Sequence, residues 1–443
     1  MQILGPELTL ILAAAILIAP RRFAALMMVA AVCYLAFASQ WDIFGLNFTR
    51  MRIALSAGIV RVMVRREYAG LRFNQVDQSV LCFLITVALI YYLGRPNHPA
   101  FAIGMIISGL GPYFFFRCQI RSAAELEEFL GRLGNLIVPL ALFMVVEKVT
   151  RRNLFGKEWI LERDGSVRSC AAFGNAITAG TFGATLMPLF AGLYWIGGHR
   201  RAALVGLAAA TVITCTSHSS GPLVAFVAGV IALLCWRWRE RMRLIRWSIL
   251  IVLVALQIVM KAPVWYLMAK AGNLMGGTGW HRSEIINQAI VHFGRWWMMG
   301  TDDTAGWMPY TLAVDNTADI TNQYLVAGLR GGLLSMILFI IIIVRCFVKL
   351  GSARGKIAAE SRRTEILLWA AGSVVFAHVV NFFSISYFDQ MEVIWYMLVA
   401  IIAGVTAEIL EARPAITPGL SAEEESSGLQ TWDGAEPVAA AES

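Results

Sequence analysis

Residues 321–345 read TNQYLVAGLRGGLLSMILFIIIIVR, and from Leu333 to Val344 no side chain carries a charge. A helix needs about 20 mostly apolar residues to cross about 30 Å of hydrocarbon, and this run is long enough. Comparable runs lie near 6–20, 23–39, 48–64, 79–94, 99–116, 130–147, 175–197, 202–217, 221–236, 247–262, 366–385 and 391–410. Together they make about 13 spans. The expected fold is therefore all-α, a polytopic transmembrane helix bundle of about 12 to 13 spans. A hydrophobic content of 58%, a charged content of 15% and a mean hydropathy of +0.65 agree, since all three lie far from soluble domains. The run at 48–64 is the ambiguous one. Arg50, Arg52 and Arg61 shorten its uncharged centre, which leaves open a helix lying in the membrane interface.

The net charge of +8 does not read as nucleic-acid binding, because the cations sit in short clusters between apolar runs. The clusters are Arg21 with Arg22, Arg61 to Arg72, Arg200 with Arg201, Arg237 to Arg246, and Arg345 to Arg363. If the chain starts outside and every run crosses, all of them fall on the cytoplasmic side, as the positive-inside rule requires. The same parity places 263–320 outside. It also leaves Lys148 to Arg168 as an external yet basic loop. The expected organisation is then helices with short loops over 1–262, a large extracytoplasmic loop over 263–320, three further helices over 321–410, and a disordered, acidic cytoplasmic tail over 411–443. The N-terminus lacks a basic leader and a cleavage site, so its first apolar run is expected to stay. The cysteines are scattered singly and argue for neither a disulfide framework nor a metal site.

The large loop concentrates chemistry. Read as a helix, 281–293 is amphipathic: Ile285, Ile286, Ala289 and Phe293 share one face, while His281, Glu284, Gln288, His292 and Arg295 share another. Trp296, Trp297, Asp302, Asp303, Trp307, Asp315 and Asp319 follow. One reading is an interfacial loop with Trp at headgroup level and solvated charges. The other is a site for a lipid-linked, phosphorylated sugar. Arg282 and Arg295 then grip a diphosphate with planar forks. Trp296 and Trp297 offer flat apolar faces to sugar rings, and His281, His292, Asp302 and Asp303 are candidate bases. Arg330 lies about two turns into an apolar helix, where a cation needs a partner or a cavity, and it is a third candidate to hold the diphosphate beside Arg282 and Arg295. Gly328 and Gly332 have the spacing of close helix packing. Thr216 to Gly221 (TSHSSG) contains Ser and His but no GxSxG elbow, and reads as polar caps on a hairpin.

Several of these stretches resemble the O-antigen ligase and exopolysaccharide polymerase superfamily of bacterial membrane glycosyltransferases. They are Tyr113-Phe-Phe-Phe-Arg117 with Ile120-Arg-Ser122, Arg168-Ser-Cys-Ala-Ala-Phe-Gly174 with Gly180 and Pro188, the Ser-rich turn, and Gly277-Thr-Gly-Trp-His-Arg282 through Trp296-Trp297 to Thr321-Asn-Gln-Tyr-Leu325. The resemblance covers roughly 20–410. It implies a C-type fold and a metal-independent, inverting transferase with no cofactor, in the bacterial inner membrane with its active loop periplasmic. Such an enzyme moves glycan from a polyprenyl-diphosphate donor to a second glycan or a lipid acceptor, among polysaccharide assembly or export proteins. By the same resemblance Arg282 and Arg168 hold the diphosphate, and Asn322 belongs to the substrate site. The family's His-Asn before Tyr-Leu reads Thr321-Asn322 here, so Asp319 or His281 is left to supply a base. The rival expectation is a transporter or flippase of lipid-linked oligosaccharide, which would line a polar path across the membrane. A third is a scaffolding subunit.

Overall fold

The computed structural model describes residues 5–36, 40–43, 46–156, 162–163, 165–274, 279–309 and 317–411. The helices are α1 (Gly5–Ile18), α2 (Arg21–Tyr34), α3 (Arg50–Val64), α4 (Gln75–Gly94), α5 (Pro99–Gln119), α6 (Ala123–Leu136), α7 (Val138–Thr150), α8 (Ala176–Ile196), α9 (Arg200–Thr216), α10 (Ser220–Leu234), α11 (Met242–Val259), α12 (Leu267–Leu274), α13 (Gly279–Val291), α14 (Phe293–Trp296), α15 (Gln323–Ile357), α16 (Arg362–Asn381) and α17 (Gln390–Glu411). Two antiparallel hairpins, β1 (Gln40–Ile43) with β2 (Leu46–Thr49) and β3 (Glu162–Arg163) with β4 (Ser166–Val167), are small additions to an all-α bundle. The acidic tail expected at 411–443 lies, beyond Glu411, outside the described residues, as do Gly276, Gly277 and Asp315.

Among the described residues, eight helical stretches are long and apolar enough to cross a membrane, α6 with α7 counting as one and α10 with α11 as another. The chain is a multi-pass membrane protein. The expected spans that fall short are α1, α2, α3 and α9, of 14, 14, 15 and 17 residues. At 1.5 Å per residue they reach only about 21–26 Å. α17 is buried along nearly its whole length and occupies the centre, with α6, α8 and α16 around it. α11 buries none of its residues, and such an apolar cylinder needs lipid around it.

The five basic clusters meet at one end of the bundle. Arg21 pairs with Glu125 at 3.2 Å, and Arg61 with Glu67 at 2.7 Å. Arg121 donates to the Glu67 carbonyl, and Arg345 donates to Gln75 at 2.7 Å. Arg239 and Arg354 share Glu365 at 3.0 and 3.1 Å, and Arg363 pairs with Glu127. A Cβ on Gly198, two residues before Arg200, would run into the Arg363 and Glu127 side chains. Successive helices accordingly run in alternating directions between this basic end and the opposite one. α3 runs in that alternation: Ala54, Leu55, Ala57 and Gly58 are buried, and it packs on α1 and α5. Its Arg61, 1% exposed, donates to the carbonyls of Ile16, Leu17 and Ala19 at 2.8, 3.4 and 2.6 Å. These are orphan acceptors at the end of α1, where a cation also meets the negative pole of the helix.

α15 is broken. Gly331 (φ −140) and Gly332 (φ +69, ψ −179) separate a short half-helix, 323–330, from the long one that follows. The loop repairs the freed backbone, since Leu333 N–H donates to the Trp297 carbonyl at 2.7 Å and Thr301 N–H to the Leu329 carbonyl at 2.8 Å. Irregular backbone at this depth survives because protein supplies those partners. The Trp296 ring packs on Gly328, and Ile285, Ala289, Trp296, Trp307, Leu325 and Leu329 form a small second core that ties the loop to the half-helix. Gly332 thus breaks the helix, whereas the spacing had pointed to helix packing. Gly332→Ala is expected to lower stability by about 1–3 kcal/mol or more. A Cβ there would overlap the Met298 carbonyl oxygen on top of the left-handed φ. Thermal unfolding in detergent measures the loss, and an unchanged Tm would contradict this account of the break.

Candidate functional site

The end opposite the basic clusters is organised by the serine turn before α10. His218 adopts a left-handed φ of 44°, which turns the chain sharply between α9 and α10. Ser219 precedes α10 without capping its N–H groups. Its hydroxyl instead donates to the Ser217 carbonyl at 3.0 Å and accepts from Arg168 Nη2 at 2.9 Å. Arg168 is held there from both sides. Buried Glu147 accepts from the backbone N–H of Cys170 and Ala171 at 3.1 and 2.7 Å, and Ser169 N–H donates to the Thr216 carbonyl at 3.3 Å.

Arg282 reaches the same turn from α13. A Cβ on Gly221 would lie 3.4 Å from Arg282 Nη2 and 3.1 Å from Ser384 Cβ, so glycine leaves the room in which three elements converge. Two guanidinium groups therefore flank the N-terminus of a 15-residue helix. Orphan N–H donors, the positive helix pole and two planar forks make a receptor for a multiply charged oxyanion.

From Ser384 the chain continues to a second cluster. Asp389, half-buried and at a left-handed φ of 45°, precedes α17, and Glu392 lies one turn into it. Arg52 at the start of α3 acts on both carboxylates, and Arg330 on the α15 half-helix acts on Glu392. Arg330 also lies 5.7 Å over the Phe101 ring, and Arg52 packs against Gly104. Burial pushes the Asp389 carboxyl up to about 6, with Arg52 pulling in the other direction. The cation at 330 thus has the Phe101 ring beneath it and Glu392 within electrostatic reach. Asp389 and Glu392 were not among the expected bases, although two carboxylates opening an otherwise apolar span are a signal of their own.

The remaining expected residues scatter. Helix α13 forms where the amphipathic pattern put it, and its polar row is linked: Gln288 Nε2 donates to Glu284 at 2.7 Å, and His292 Nδ1 meets the Gln288 carbonyl at 2.9 Å. His292 is also stacked on Trp307 at 5.2 Å. Phe293 leaves the apolar face and is 41% exposed, because α13 ends at Val291. His281 Nε2 lies 3.0 Å from the backbone carbonyl of Asp319, whose own residue is exposed. Asp302 pairs with Arg95, and Asp303 lies 3.7 Å from Arg295, both members of the latter pair being exposed.

Three expectations need correction. Trp296, 4% exposed, spends its ring on Gly328 and its Nε1–H on the Ala289 carbonyl at 2.8 Å, so it is an internal strut and no sugar platform; Trp297, 45% exposed, keeps an open face. Asn322, 2% exposed, accepts from the N–H groups of Tyr324 and Leu325 at 3.0 and 3.1 Å and caps α15 instead of facing substrate. The serine turn, read from the sequence as polar caps on a hairpin, is instead the meeting point of both arginines. Among the described residues no group of three or more His, Cys, Asp or Glu side chains is placed to hold a metal ion. Comparison of the chain with protein families, characterised proteins and solved structures finds no match.

Proposed function

We propose that this protein transfers or polymerises glycan from a polyprenyl-diphosphate-linked donor, in the manner of an O-antigen ligase or exopolysaccharide polymerase, at the outer face of a bacterial inner membrane. The supporting observation is the convergence of Arg168 and Arg282 on the uncapped start of α10, at the end of the bundle opposite the basic clusters. A diphosphate is the leaving group such a site holds, and a polyprenyl chain is the tail that an apolar bundle admits from the side. Positive-inside sidedness then makes the basic end cytoplasmic.

The acceptor hydroxyl attacks the anomeric carbon as the bond from that carbon to the diphosphate oxygen breaks. The electron pair leaves with the diphosphate, whose charge the two guanidinium groups and the helix pole stabilise. The hydroxyl proton passes to the carboxylate pair Asp389 and Glu392, in place of the bases expected from the loop. The reaction inverts the anomeric centre because the hydroxyl enters opposite the departing diphosphate.

Purified protein reconstituted with labelled donor and acceptor is expected to release polyprenyl diphosphate and form a glycosidic bond. Movement of intact donor across the bilayer without release would favour the flippase reading. With Asp389 as base, kcat/KM is expected to rise with pH through about 6 and level off above it, because only the deprotonated carboxylate accepts a proton. Burial of Asp389, opposed by Arg52 on α3, sets the position of that limb, with Glu392 one turn into α17 and Arg330 acting on Glu392. Asp389→Asn should abolish the limb. A wild-type profile in that variant would remove Asp389 from the mechanism.

A further inference from the structure

A cavity of about 340 Å³ opens at the basic end between the start of α2 and the start of α6, lined by Arg21, Arg22, Gln119, Glu125, Glu128 and Arg132 among others. Arg132 also lines a second, more open groove of about 410 Å³, whose other walls are Leu26, Met27, Tyr34, Leu136 and Pro139, with Asn135 at its edge. Both follow the seam between the same two helices. A charged chamber thus continues into an apolar channel directed along the bundle, which matches a phospholipid: a headgroup above, an acyl chain below.

The chamber contains both signs of charge, and its bonding is incomplete. Arg21 reaches Glu125 at 3.2 Å and Arg132 pairs with Glu128. Arg132 also lies 4.6 Å over the Phe23 ring, which fixes the guanidinium at the junction of chamber and groove. Gln119, 4% exposed, donates through Nε2 to Glu67 at 2.7 Å, but its Oε1 accepts nothing. The Arg21 Nε–H likewise has no acceptor. A buried acceptor and a buried donor left open in one chamber invite a ligand that supplies the converse of each.

We infer that the chamber and groove bind one zwitterionic phospholipid whose headgroup carries a phosphodiester and a primary ammonium. The phosphate accepts from Arg21, Arg22 and Arg132, for which guanidinium forks are suited. The ammonium donates to Gln119 Oε1 and to the Glu125 and Glu128 carboxylates. A quaternary ammonium has no N–H to give, and an uncharged glycerol headgroup leaves the carboxylates facing a net anion. The site lies at the opposite end from Arg168 and Arg282, so it does not rest on the glycan-transfer reading.

Native mass spectrometry of the full-length, delipidated protein tests this with dioleoyl phosphatidylethanolamine, phosphatidylglycerol and phosphatidylcholine offered in turn at equal concentration. One phosphatidylethanolamine is expected to be retained in preference to the other two. Arg132→Gln should weaken retention about tenfold. If loss of its contact with Glu128 impairs folding, Arg22→Gln, at an exposed position, is expected to act in the same direction. Glu128→Gln should shift preference toward phosphatidylglycerol, because one anion leaves the chamber. Equal retention of the three lipids, or retention unchanged in both arginine variants, would overturn the inference. Displacement of the lipid by millimolar glycerophosphoethanolamine would overturn the acyl-groove part, since a headgroup alone would then suffice.

Discussion

Arg282→Ala is expected to lower kcat/KM for glycan transfer by about 10²–10³-fold while leaving the fold intact, which is the loss seen when one preorganised donor to a developing anion is removed. The side chain reaches the start of α10 beside Gly221, where Arg168 arrives from the other side on Ser219. Charge develops on the diphosphate as the glycosidic bond breaks, so the contact matters more in the transition state than in the bound donor, and kcat should fall more than KM rises. Arg282→Lys should recover little, because an ammonium offers a point charge where two parallel donors are needed. Arg295→Ala serves as the comparison: that cation is exposed beside Asp303 and is expected to change transfer little. If Arg282→Ala and Arg295→Ala have equal activities, the diphosphate site is not at α10.

The second large effect is on stability. Asp77→Ala is expected to cost about 3–5 kcal/mol, because it leaves a buried guanidinium without its counter-ion. Asp77 and Arg117 are 3% and 5% exposed, with Arg117 Nε 3.0 Å from Asp77 Oδ1 and Nη2 2.7 Å from the Arg72 carbonyl. The Tyr113 hydroxyl donates to the same carboxylate at 2.5 Å, and Asp77 closes a capping box with Asn74 at the start of α4. One substitution therefore breaks an ion pair, a hydroxyl bond and a helix cap together. Thermal unfolding in detergent should show a large loss of Tm and of folded yield. Asp77→Ala combined with Arg117→Met should lose less than Asp77→Ala alone, since no unpaired charge remains. A double variant that is the less stable of the two would show that the uncompensated charge is not the main term.

Much of the bundle was legible because hydropathy is a property of each segment by itself. The runs at 79–94, 99–116, 175–197, 366–385 and 391–410 correspond to α4, α5, α8, α16 and α17 with small shifts at their ends. Helix α13 was legible for the same reason, its amphipathic period being local. The cation clusters were legible as a set, since a shared side of the membrane is a constraint on parity and not on contact. Arg282 and Arg168 carried a signal through residue type, and the structure brings them to one turn. Asn322 and Trp296 misled because a polar or aromatic side chain in a charged loop looks the same whether it caps a helix, fills a core or meets a ligand. The break at Gly332 was hidden by the apolar run around it, which reads as one unbroken helix.

The sequence by itself determined that the chain is an all-α membrane protein and that its basic clusters fall at one end of the bundle. Those conclusions depend on composition and period along the chain. The tertiary structure decided which charges meet. Arg168 finds Ser219 across 51 positions, and Arg95 finds Asp302 across 207. In an apolar interior an isolated charge is costly, so each is driven to a partner, but which partner depends on helix packing across distances no local pattern encodes.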